Sequence, residues 1–124
     1  MTENVEGARR SAVTISRRFY EPGDVLGALQ EFYSNDTKMR EGSSEEITEG
    51  KQANHERLES FLGSLKQFNS ATLHSSAVGE NVTMSEWTFD MVGGDGSPII
   101  WNEVIRRQWK DGLVTDERYY NTTP

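Results

Sequence analysis

The sequence predicts an α+β domain: N-terminal helices packed on a strongly curved antiparallel sheet, together forming a cone-shaped α+β barrel. Three observations predict it. Apolar residues recur at helical spacing through the first half. From Phe68 onward the period changes to two. Glycine-rich turns then link the later strands into consecutive hairpins.

Residues 4–19 read as an amphipathic helix, with Val5, Ala8, Ala12, Ile15 and Phe19 on one face. Glu21-Pro22-Gly23 breaks it. Asp24 is a natural N-cap for a second, short helix. Its stripe is Val25 or Leu26, then Leu29, Phe32 and Tyr33, and Asn35-Asp36 ends it. Thr37 to Glu41 reads as a short extended segment, followed by a Gly42-Ser43-Ser44 loop. A third helix runs from about Gly50 to Leu65, with Asn54, Leu58, Phe61, Leu62 and Leu65 inward. Asn54 stands where an apolar residue is expected, so that end of the helix is expected to face a polar cavity.

The strands follow. Thr72 to Val78 is closed by a Gly79-Glu80-Asn81 turn, and Val82 to Val92 comes next. Gly93-Gly94-Asp95-Gly96 reads as a hairpin loop, since glycines accept positive φ. Ile99 to Trp109 is followed by Asp111-Gly112, a tight hairpin signal, and Leu113 to Asn121 is the last strand. Within Val82 to Val92, Val82 and Met84 lie in one phase while Trp87, Phe89 and Met91 lie in the other. A β-bulge near Ser85-Glu86 reconciles the two and bends the sheet.

The 124 residues are read as a single domain, 1–124, with disordered ends at 1–3 and 122–124. A domain of this size buries roughly two-thirds of the surface its unfolded chain exposes, enough for a real core. With no cysteine, disulfides and thiolate metal sites are excluded. The net charge of -7 argues against nucleic acid as a partner. The paired arginines Arg9-Arg10 and Arg17-Arg18 read as a solvated helix face. No apolar run approaches the roughly 20 residues a spanning helix needs, so no membrane partner is expected. The acidic N-terminus lacks a basic leader, and a cytoplasmic location is expected. A homodimer is also expected, because neither face of the last strand is purely polar.

Strand phase selects the candidate site. Trp101, Glu103, Ile105, Arg107 and Trp109 share one face, and its two tryptophans place that face inward. Glu103 and Arg107 are then a carboxylate and a guanidinium in one cavity, either paired through neighbours such as Glu86, Arg118 or Tyr120 or binding a polar ligand group. The aromatic residues Tyr33, Phe61, Trp87, Phe89, Trp101, Trp109 and Tyr120 have inward phases. Those lining the cavity suit a flat, lipophilic small molecule. Of the two histidines, His55 is off the apolar stripe, while His74 either lines the pocket or hydrogen-bonds on the outer face. Their isolation leaves no zinc-ligand spacing.

Taken in order, several stretches resemble the SnoaL-like and ketosteroid-isomerase-like group of the nuclear transport factor 2-like superfamily. They are Pro22-Gly23-Asp24 with Phe32-Tyr33, Asn35-Asp36-Thr37 leading to Glu41, and Glu49-Gly50-Lys51. Gly79-Glu80-Asn81-Val82, Trp109-Lys110-Asp111-Gly112 and Glu117-Arg118-Tyr119-Tyr120-Asn121 complete the set. The resemblance covers nearly the whole chain and implies a pocket without a cofactor. It places a carboxylate base at about Glu41, which shares a strand phase with Met39. It also places a protonated acid at about Ile105, which cannot polarise a carbonyl oxygen. The Arg-Asp spacing of the superfamily's epoxide hydrolases is not matched, since Glu103 precedes Arg107 by four positions.

The expected function is acid/base chemistry of the isomerase, cyclase, dehydratase or hydratase type on a hydrophobic small molecule. Glu41 is the expected base, with Glu103 and Arg107 orienting or polarising. Tyr33, Asn54, Phe61, His74, Trp87, Trp101, Trp109, Arg118 and Tyr120 are expected around the ligand. The alternative is a non-catalytic ligand-binding or dimerisation module of the same fold.

Overall fold

The computed structural model of the chain describes residues 24–122. The helix expected over 4–19, with its arginine pairs, lies outside the described residues. Among the described residues two helices and six strands follow one another: α1 (Val25–Phe32), β1 (Tyr33–Glu41), β2 (Thr48–Glu49), α2 (Lys51–Ser64), β3 (Leu65–Val78), β4 (Val82–Gly93), β5 (Pro98–Lys110) and β6 (Leu113–Asn121). The strands form one sheet in the order β2-β1-β6-β5-β4-β3.

The α+β class stands, but the cone-shaped barrel, the strong curvature and the purely antiparallel sheet do not. The sheet is open and mixed: β2 and β3 are its two edges, and β1 runs parallel to β6. Hairpin signals set β3 to β6 antiparallel, and they carry no information about β1. That strand is connected to β6 through α2 and the whole hairpin series, so its direction is a matter of topology. Among the described residues no helix is long and apolar enough to cross a membrane.

Helix α1 buries Ala28 and Leu29. Asp24 occupies its N-cap without a side-chain capping bond, and its carbonyl accepts from the Ala28 N–H at 2.9 Å. The helix stops at Phe32, earlier than Asn35-Asp36, because Tyr33 is already extended. Helix α2 begins after Gly50, whose φ of +100° suits glycine. Asp111 and Gly112 both take positive φ, as a tight hairpin between β5 and β6 requires.

The expected bulge in β4 is absent. Its register with β5 is continuous from Val82 opposite Gln108 to Val92 opposite Pro98. Thr83, Ser85, Trp87 and Met91 are all buried in one phase, and Met84 is exposed. The irregularities sit in β3 instead, which starts at Leu65 and shifts register between Leu65 and Gln67, Phe68 and Ser70, and Leu73 and Ser75. A bulge in β6 decides the site. Gln108 opposes Asp116 and Trp109 opposes Val114, so Thr115 is extra. Val114 and Glu117 therefore both point inward although their positions differ by an odd number.

One core cluster joins Leu29, Tyr33, Met39, Trp109 and Val114; another joins Ala71, Trp87 and Ile105. Both lie on the sheet face that carries the helices.

Candidate functional site

Between the two helices and the sheet lies a cavity of about 350 Å³. Helix α1 contributes Val25, Ala28 and Leu29, and α2 contributes Arg57, Leu58, Phe61 and Leu62. The strands supply Tyr33, Met39, Phe68, Phe89, Met91, Trp101, Glu103, Ile105, Arg107, Glu117 and Tyr119. Phe61 stacks on Trp101 with ring centroids 5.2 Å apart and planes 19° from parallel. The wall is mostly apolar, and a few polar groups converge on it, as in a small-molecule site.

The polar groups come from neighbouring strands. Glu117 on β6 faces Arg107 on β5 directly in the sheet register. Both side chains are nearly fully buried, with Arg107 Nε 2.7 Å from Glu117 Oε1. The Tyr33 hydroxyl donates to the same oxygen and accepts from Arg107 Nε at 3.0 Å. The Tyr119 hydroxyl donates to Glu117 Oε2 at 2.6 Å. Both carboxylate oxygens are thus satisfied, as a buried charge requires. Burial, with Glu117 adding to it, pushes the Tyr33 and Tyr119 hydroxyls well above the ordinary tyrosine value. Burial disfavours the Arg107 charge, but Tyr33 and Glu117 outweigh it and hold its pKa above the ordinary arginine value. The two hydroxyls stay protonated and the guanidinium stays charged.

Glu103 is different. Its half-buried carboxyl lines the cavity and has no ion pair or hydrogen bond with any described residue. Burial first, then the like charges of Glu117 and Glu41, push its pKa up to about 7. At neutral pH the group is present in both forms and can accept or release a proton.

Five of the expected site residues meet here: Tyr33, Phe61, Trp101, Glu103 and Arg107. The pairing differs from expectation, because Arg107 binds Glu117 and not Glu103, Glu86, Arg118 or Tyr120. Glu41 is a correction. It keeps the phase of Met39, but the strand ends there and the side chain is exposed. Its carboxylate accepts from the Ser43 backbone N–H at 3.0 Å and from the Ser43 hydroxyl at 2.5 Å. Those bonds hold its pKa below the usual carboxylate value, the reverse of the expected shift.

Arg118 and Tyr120 do not line the cavity, since the Thr115 bulge turns them to the other face. Arg118 Nε lies 3.6 Å from Asp116, and Tyr120 is 37% exposed. His74 is exposed on the outer face, with Nε2 2.6 Å from the Thr88 hydroxyl. Trp87 and Trp109 are core residues beneath the cavity, their indole N–H groups donating to Ser85 Oγ at 2.8 Å and Thr83 Oγ1 at 3.0 Å. Asn54 faces no polar cavity. Its Nδ2 donates to the carbonyls of Gly50 at 2.8 Å, Thr48 at 3.0 Å and Thr37 at 3.4 Å, tying α2 to β1 and β2.

Glu117, Tyr119 and Arg57 are the polar cavity residues not expected from the sequence. Only the Thr115 bulge brings the first two inward, and alternation alone groups Val114 with Arg118. Among the described residues no cluster of His, Asp and Glu is arranged to hold a metal ion.

No protein-family model matches the sequence, and no curated protein does. Solved structures do match. A protein named as a SnoaL-like polyketide cyclase from Mesorhizobium loti superposes with a TM-score of 0.80 at 19% identity, over 91% of this chain and 97% of that one. An NTF2-like protein from Anabaena variabilis gives 0.76 at 13% identity, over 98% of this chain and 90% of that one. An LEH-like epoxide hydrolase of M. tuberculosis gives 0.74 at 14% identity, over 94% of this chain and 84% of that one. Likeness at such identities is likeness of fold, and the chain has the nuclear transport factor 2-like fold in the form found in SnoaL-like structures.

Proposed function

We propose that the cavity binds a lipophilic small molecule and that Glu103 exchanges a proton with it, without a cofactor. The carrying observation is the half-buried Glu103 carboxyl, unpaired among the described residues, in an apolar cavity of about 350 Å³. The reaction class is proton transfer next to a carbonyl, or the cyclisation, dehydration or hydration chemistry that such a transfer starts. Tyr33, Arg107, Glu117 and Tyr119 support the site as a fixed polar floor. Structural likeness to a protein named as a polyketide cyclase and to an epoxide hydrolase agrees with small-molecule chemistry of this kind.

A second reading rests on the same floor. Its hydroxyls are already committed to Glu117, which suits a binding module that performs no chemistry. The two readings separate in one experiment. In D2O, 2-acetylnaphthalene is incubated with the protein, and deuterium entering its methyl group is followed by mass spectrometry. The acid/base reading expects catalysed exchange that falls by roughly 10²-fold or more in Glu103→Gln, with binding retained. Binding without catalysed exchange supports the module, and absence of binding removes both. Association of two chains through the outer sheet face, where Met84 and Ile100 are exposed, is a further part of the proposal. A light-scattering mass of one chain at micromolar concentration removes it.

A further inference from the structure

The cavity wall carries two arginines in opposite circumstances. Arg107 is buried and neutralised by Glu117 at 2.7 Å. Arg57 is an exposed residue of α2 that also lines the cavity, and no carboxylate among the described residues lies within ion-pair distance of it.

Three weak acceptors hold one end of the Arg57 guanidinium. Its Nη2 lies 3.3 Å from Met39 Sδ, 3.3 Å from the Tyr119 hydroxyl and 3.5 Å from Asn54 Oδ1. The group also sits over the Tyr119 ring, 5.9 Å from its centroid. These contacts fix the plane of the guanidinium, and none of them is with an anion. Nε and Nη1 donate to no described residue. A guanidinium held on one side with donors left over on the other is prepared for a carboxylate, which it binds with two parallel hydrogen bonds.

We infer that the ligand is a lipophilic carboxylate, its acid group bound by Arg57 and its apolar body lying among Phe61, Phe68, Phe89 and Trp101. The inference rests on the cavity being a ligand site, and it names the class of ligand. The net charge of -7 does not oppose it, because physiological salt screens charges beyond about 8 Å. Nor does Glu103 below about pH 7, where its carboxyl is mostly protonated. Local chemistry decides, and the lining cation without a carboxylate partner is Arg57.

A matched pair of probes tests it. 2-Naphthoate and 2-naphthamide share an aromatic body, and only the first is an anion. Calorimetric titration into the wild-type chain is expected to give naphthoate an advantage of about tenfold in affinity, the size of one charge-assisted pair over a neutral one. Arg57→Gln is expected to erase that advantage, and Arg57→Lys to keep part of it. Equal affinities in the wild type, or an advantage that survives Arg57→Gln, overturns the inference and leaves the cavity reading standing. Binding of neither probe overturns both.

Discussion

Arg107 and Glu117 oppose each other across β5 and β6, with Nε and Oε1 2.7 Å apart and both side chains nearly fully buried. Burial in the interior makes each charge dependent on the other. Arg107→Ala leaves Glu117 charged and without its partner, and is expected to destabilise the fold by roughly 3–5 kcal/mol. Replacing both residues by apolar ones of similar size is expected to recover part of that loss. Urea denaturation of the single and double variants checks it, and a near-neutral Arg107→Ala would contradict the burial.

Glu103 links stability to pH. Its folded pKa of about 7 lies above the ordinary value of 4.5. The folded chain therefore keeps a proton that the unfolded chain releases. The resulting stabilisation is complete below about pH 4.5 and is lost as pH rises through about 7. Glu103→Gln is neutral at every pH, so the wild type should lose stability relative to it across that interval. Parallel pH profiles of the two proteins would contradict the raised pKa.

Glu41 acts on the site only through its charge. Its carboxylate is exposed and bound to Ser43, yet it contributes to raising the pKa of Glu103. Glu41→Gln is expected to leave stability nearly unchanged, as at most surface positions. It should also move the pH profile of proton exchange to lower pH while preserving the rate at the plateau. Loss of the plateau itself would make Glu41 the base after all.

Asn54 is a test of structure without chemistry. Removing its amide takes one donor from the buried carbonyl of Thr37 and from the partly buried carbonyls of Thr48 and Gly50. Asn54→Ala is expected to cost about 1–3 kcal/mol. Affinity for 2-acetylnaphthalene should be unchanged, because Asn54 does not line the cavity. A thermal melt and a binding titration on the same sample separate the two effects.

These residues also mark what the sequence carries and what it does not. The period-two pattern after Phe68 and the Asp111-Gly112 turn are local signals, and the strands they announce are present. Trp101, Glu103 and Arg107 were legible because β5 alternates without interruption. Glu117 and Tyr119 were not, because one extra residue at Thr115 reverses the phase midway through β6. Met84 misled for a related reason: an exposed apolar residue looks like half of an alternation and suggests a bulge that β4 does not have. The parallel pairing of β1 with β6 and the open sheet arise from contacts between distant segments, which no local pattern encodes. Asn54 signalled polarity on an apolar stripe, and what it signalled was a backbone staple.

If Glu103 is the working acid of a ligand cavity, its carboxyl carbon senses both pH and ligand. In protein labelled with 13C at glutamate, the Glu103 resonance is followed against pH, with and without 2-acetylnaphthalene. The expected midpoint is near 7 in the free protein, with a further displacement when the ketone is bound. A midpoint at the ordinary value of 4.5, indifferent to the ketone, would contradict it.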